Sequence, residues 1–332
     1  MPVMSDLHRR AVVIDGLIIA NWSRDIFEAM IRGGLSAANC TCCVWEGFTA
    51  TMRNVETWLH WFEEHSDCIR PVHSAEDIRR AKKEGRTGII LGFQNTSAFE
   101  DQLSHIELFK NLGVGIAQLT YNTQNLVGSG CYETRDSGLS DFGREVVAEM
   151  NRVGMMCDLS HVGPVTSREA ILASSQPVCY SHCLPASLKS HPRNKSDDEI
   201  RFIADHGGFV GVTMFPPFLR QGNRSTLADI TQAIDHVVSI AGVDNVGLGT
   251  DFTQGHGTDF FDYLSRDKGY ARKLVEFGGV SPLLGFGTID EMPNLTAAME
   301  KAGWSENRII KVLGENWLRV LAEAWAPATV LG

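Results

Sequence analysis

GMMCDLSHVG (154–163) and QPVCYSHCLP (176–185) decide how this chain folds. Each is a short apolar run that passes into small polar residues and stops at a histidine, His161 or His182, before a loop that contains proline. Such runs are what strands buried on both faces look like, and strands of that kind belong to parallel sheets covered by helices. Six more runs of the same character surround them: AVVIDGLII (11–19), LSAANCTCCVW (35–45), TGIILGFQN (87–95), VGIAQLTYN (114–122), GGFVGVTMF (207–215) and NVGLGTDF (245–252). Helical spacing fills the intervals, as in AEDIRRAKKEG (75–85) and in SDDEIRFIADHGG (196–208), where Ser196 is a capping residue and the glycines are a stop signal. Eight strands alternating with helices predict a (β/α)8 TIM barrel.

A doubly wound open sheet is the rival. Its dinucleotide-binding form carries GxGxxG after the first strand, whereas this chain reads IDGLIIAN there, and Gly247 and Gly249 lack the third glycine. At 332 residues, with 43% hydrophobic and 21% charged residues, the chain is expected to form a single barrel domain over 1–332. Residues 253–293, after the eighth strand, form the longest irregular insertion and are expected to act as a lid or a subunit contact on the face where barrel active sites lie.

The formal net charge of −10 excludes nucleic-acid binding as an expectation, because phosphate recognition requires a basic face. The sequence has no apolar run long enough to span a bilayer and no signal-peptide core, so a cytoplasmic protein without membrane attachment is expected. Its eight cysteines lie mostly in apolar runs and are read as buried reduced thiols; no CxxC pair is present. Cys40 and Cys42 share one strand face and are read as core residues.

In a barrel, strand ends converge on one mouth. His161, His182 and Asp251 are therefore expected to meet there, and two imidazoles beside a carboxylate suit zinc. The bland reading of a strand-end histidine is a satisfied structural residue, and two on adjacent strands argue against it.

The segments GLSDFG (138–143), DLSH (158–161), YSHC (180–183) with PRN (192–194), GTDF (249–252) and GENWLRV (314–320) carry a resemblance. In order and spacing, over nearly the whole chain, they resemble the membrane (renal-type) dipeptidase family of the amidohydrolase superfamily. The resemblance implies a barrel in which two zinc ions activate water to cleave a dipeptide. It further implies that His161 and His182 hold one zinc, and that Arg193, with Asn194 beside it, binds the substrate carboxylate.

This chain departs from the family pattern elsewhere. The family's DGHND reads DGLII here, which puts Leu17 and Ile19 at two ligand positions; Gln94 replaces the bridging glutamate, and Tyr121 stands where mammalian-type members have histidine. Such a loss removes about two negative charges and most of one coordination sphere. The expectation is at most one zinc per chain, held by His161, His182 and a third donor from Gln94, Cys40, Cys42 or Asp251. Asp251 would then be the proton acceptor and Tyr121 a donor to the oxyanion, acting on a dipeptide or small amino-acid amide. The bland alternatives are a packed aromatic for Tyr121 and a capping or surface ion-pair role for Arg193. A metal-free barrel that binds or transforms a small zwitterion is the second reading of the whole chain, and a scaffolding role is the third. A homodimer is also expected.

Overall fold

The computed structural model describes residues 4–326. Its strands are β1 (Ile14–Ile18), β2 (Ala37–Cys43), β3 (Ile69–Pro71), β4 (Thr87–Phe93), β5 (Val114–Gln118), β6 (Met156–Asp158), β7 (Cys179–Cys183), β8 (Phe209–Val212) and β9 (Val246–Leu248). They form one parallel sheet in the order β2-β1-β9-β8-β7-β6-β5-β4-β3, and β2 also pairs with β4. That last pairing closes the ring, which leaves eight strands in the barrel and β3 outside it. The eight apolar runs read from the sequence are these eight barrel strands. All residues of β1, β2, β4, β5, β6, β7, β8 and β9 are buried, because the interior fills one face and the surrounding helices cover the other.

β3 is a strand the sequence reading lacks. It is only IRP, and an arginine and a proline in three residues give no apolar run to detect. It pairs with the start of β4, Ile69 opposite Thr87, while β5 pairs with the end of β4, beginning at Val114 opposite Leu91. The two neighbours thus share one edge of β4 at different heights.

The floor of the barrel explains GENWLRV. Trp317, in the helix Asn316–Ala324, is 1% exposed and donates its indole N–H to the Leu248 carbonyl at 2.8 Å. Asn316 donates to the carbonyls of Val243 (2.7 Å) and Val246 (2.8 Å). Glycine is required on the strands above: a Cβ at Gly16 would lie 2.4 Å from the Trp317 ring. This motif therefore plugs the barrel and does no chemistry.

At the opposite end, the insertion is more ordered than its composition suggests. It contains the helix Thr258–Ser265 and turns at Asp267–Gly269 and Ile289–Glu291. Leu264 and Phe277 from this segment reach over the mouth.

Candidate active site

Two buried aspartates, Asp158 at the end of β6 and Asp15 within β1, brace the mouth. Asp158, the last residue of β6, accepts hydrogen bonds from Ser160 N (3.0 Å), Ser160 Oγ (2.6 Å), Ser181 N (2.9 Å) and Ser181 Oγ (2.5 Å). It therefore ties the turn after β6 to β7. Ser160 Oγ in turn accepts from His182 N at 3.1 Å. Asp15 does the same on the other side, accepting from Leu17 N (3.1 Å), Thr250 N (2.8 Å) and Thr250 Oγ1 (2.5 Å). Burial pushes its pKa up to about 7 against those hydrogen bonds.

The Asp158 latch also sets the state of His182. Because Ser181 gives its hydroxyl proton to Asp158, its oxygen is left to accept from His182 Nδ1 at 2.7 Å. On the β5 side, Asn122, in the left-handed region at φ 61°, presents Oδ1 to His161 Nδ1 at 2.7 Å. Both imidazoles therefore carry their proton on Nδ1, a tautomer assigned from their partners. Their Nε2 atoms face each other at 3.0 Å with two lone pairs and no proton between them. Burial, and secondarily Arg193, holds both rings well below the ordinary histidine pKa, so neither supplies a proton. Two facing lone pairs repel unless a cation or a shared proton lies between them, and an outer N–H bond on each ring is the arrangement that orients histidine toward a metal. The geometry therefore argues against leaving the pair bare.

A second metal position does not fit. Leu17 and Ile19 are buried apolar residues at 1% and 6% exposure. Among the described residues no group of three or more His, Cys, Asp and Glu side chains could hold a metal, at this position or at the His161 and His182 pair, so an ion at the pair needs a donor of another kind. Of the candidate third donors, Gln94 lines the cavity and gives its amide N–H to Thr41 Oγ1 at 3.0 Å, which leaves its carbonyl oxygen available. Cys40 and Cys42 point elsewhere, toward the Ala38 and Gly92 carbonyls, and burial raises both thiols far above the usual value. They remain protonated core residues.

Asp251 lines the cavity from the end of β9, on a backbone held at φ 62°. Left-handed backbone at a non-glycine residue is stored strain of the kind found at functional sites. Burial pushes its pKa up to about 6, with Arg193 pulling the other way. Tyr121 stacks its ring on His161, centroids 4.3 Å apart, and burial keeps its hydroxyl protonated. The Arg193 guanidinium is 1% exposed, which rules out a surface ion pair; it donates to the Ser160 carbonyl and, at 3.0 Å, to the His182 carbonyl. Its Nε–H is buried without a partner and remains for a ligand. Asn194 stands apart. It is not part of the cavity lining, and its amide donates to the carbonyls of Lys189 (2.8 Å) and Phe218 (3.2 Å), bracing the loop.

The cavity these residues enclose is about 20 Å³, closed over by Phe215, Phe218, Leu264 and Phe277. That is room for a single water. Asp251 also borders a larger apolar cavity of about 320 Å³ between β9 and the insertion, lined by Met214, Phe252, Phe261, Leu283 and Phe286.

The sequence profile of the family described as Membrane dipeptidase (Peptidase family M19) matches residues 25–330. The chain belongs to this family. Dipeptidase tcpJ of Claviceps purpurea is 28% identical over 276 residues, which are 82% of this chain and 59% of that protein. The chain spans only half to three-fifths of the length of the curated relatives it matches. Among solved structures, an amidohydrolase from Pseudomonas aeruginosa is 61% identical, with a TM-score of 0.95 over 96% of this chain and 98% of the other. A metallo peptidase from Rhodobacter sphaeroides, solved with a phosphinate mimic of the dipeptide L-Ala-D-Ala, shares the barrel at a TM-score of 0.79. At 20% identity over 95% of this chain and 99% of that one, it speaks for the fold of this M19 chain alone.

Proposed function

We propose that this M19 chain is a hydrolase of dipeptides or small amino-acid amides that works with a single zinc ion. The observation that carries the reading is the pair of Nε2 lone pairs facing each other at 3.0 Å beside a dismantled second position. His161, His182 and the Gln94 carbonyl oxygen would hold the ion, which supplies Lewis acidity and makes a neighbouring water acidic. Asp251 accepts the proton of the attacking water and returns it to the leaving amine. Tyr121 keeps its hydroxyl proton and donates it as a hydrogen bond to the developing oxyanion. Arg193, fixed by two backbone carbonyls, directs its free Nε–H to the substrate carboxylate. Seven of the eight cysteines are buried free thiols, which supports a reducing, cytoplasmic setting.

Elemental analysis of protein purified without chelator tests the count. No more than one zinc per chain is expected, with hydrolysis of a dipeptide panel rising and falling with it. Two tightly held metals per chain would remove the proposal.

Burial of Asp251 sets the expected upper limit of the acid limb of the pH profile, since a neighbouring zinc would draw its pKa down. Asp251 works as the carboxylate, so kcat/KM is expected to fall about tenfold per pH unit on an acid limb that lies at or below about 6 and to level off above it. The stability effect has the opposite sense. Because burial raises this pKa above its unfolded value, the folded state favours the protonated form, and its advantage is present at low pH and lost as pH rises through about 6. Asp251→Asn is expected to lose activity at every pH and to gain stability relative to the parent as pH rises. A variant that keeps the acid limb would take Asp251 out of the proton transfer.

A further inference from the structure

Ile19, at a position the family gives to a metal ligand, looks two ways. One side lines the small catalytic cavity, and the other lines a separate pocket of about 290 Å³ at the ends of β1 and β2. Five aromatic rings wall this pocket. Trp22 follows β1, Trp58 and Trp61 come from the helix Phe48–Glu64, and Phe260 and Tyr263 come from the insertion helix Thr258–Ser265. Trp58 packs edge-on against both Trp22 and Trp61, with centroids 5.0 Å apart in each pair. One carboxyl group is set among them. Glu46 Oε2 accepts from the backbone N–H groups of Val44 (2.6 Å) and Trp45 (3.0 Å), and Tyr263 Oη donates to Oε1 at 3.4 Å.

The charge balance of the lining is one-sided. No lysine or arginine contributes to it, and Glu46 is its single formally charged residue. His256, also in the wall, stacks on Phe260 at 3.5 Å, and burial lowers its pKa, so it adds no positive charge. Aromatic faces around a carboxyl group attract a cation through the ring quadrupoles and the formal charge together. A primary ammonium would turn its N–H groups to the few acceptors of the wall, among them Glu46, Asn54 and Thr57, and leave most of the aromatic surface without a partner. A methylated ammonium needs no acceptor and presents the apolar surface that the rings cover.

We propose that this pocket binds a methylated, quaternary-type ammonium group. The volume lies at the lower end of small-ligand sites, which begin at about 300 Å³. Recognition here is read without turnover, so it stands independently of the hydrolytic reading.

Choline and its neutral isostere 3,3-dimethylbutan-1-ol are the probes, titrated into the full chain by calorimetry and tryptophan fluorescence. Saturable choline binding is expected, with the isostere at least about tenfold weaker. Glu46→Gln and Trp22→Ala should each weaken choline by about five- to tenfold, with far-UV circular dichroism confirming that both fold; if Trp22→Ala does not fold, Glu46→Gln decides alone. His182→Ala should bind choline as the parent does even as zinc is lost, which separates this pocket from the metal reading. The proposal is overturned if choline fails to bind in the millimolar range, if the isostere binds equally well, or if a folded Glu46→Gln leaves choline affinity unchanged.

Discussion

His161→Ala and His182→Ala proteins are each expected to carry no zinc and to hydrolyse dipeptides at least about a thousandfold more slowly than the parent. With the Gln94 carbonyl oxygen as the remaining donor, neither single imidazole leaves enough ligands for a catalytic zinc. The outer shell predicts a graded companion. Asn122→Ala removes the acceptor that fixes the His161 tautomer at 2.7 Å, so zinc affinity should fall by about 10- to 100-fold without being abolished. Metal content by mass spectrometry and rates on one dipeptide would be measured together. Retention of a full zinc complement in either alanine variant would show that the pair does not hold the ion.

Asp158→Ala is expected to lower the unfolding free energy by about 4 kcal/mol, toward the exceptional end for a point change. The substitution leaves four donors, two backbone N–H groups and two serine hydroxyls, buried without their acceptor. It should also release Ser181, whose proton would become free to turn toward His182 Nδ1 and reverse that ring's tautomer. Urea unfolding of the metal-free protein measures the first effect. A loss below about 1 kcal/mol would mean that water or a rearranged turn replaces the carboxylate.

Much of this was legible in the sequence. The eight barrel strands announce themselves because a strand covered on both faces has to be apolar along its length, and the closure of a barrel then dictates that residues at their ends meet. That is why His161, His182 and Asp251 could be placed at one mouth before any coordinates. The latches were less visible. Asp15 in DGL and Asp158 in DLS each precede by two residues the backbone N–H they cap, a spacing that is readable in retrospect. Their longer bonds, to Thr250 and Ser181, join residues on neighbouring strands and depend on register, which composition does not carry. Asn194 shows the opposite failing: adjacency to Arg193 placed it in a motif, but neighbours in a turn need not point the same way. The insertion was expected on this face as a lid or a subunit contact, but the residues that cover the mouth were hidden, since Leu264 and Phe277 are ordinary apolar residues until the chain is folded.

The closed mouth has a temporal meaning. With about 20 Å³ beside the histidines, the resting protein can store the reactant water but cannot admit the molecule that water is to attack. On the proposed hydrolytic reading, each turnover would begin with a displacement of the segment that carries Leu264 and Phe277 and end with another before product escapes. Such excursions run on microsecond to millisecond scales and commonly set the pace of an enzyme. On that reading the pace would be set at a hydrophobic cover and not at the His161 and His182 pair, and solvent viscosity would be a lever on it.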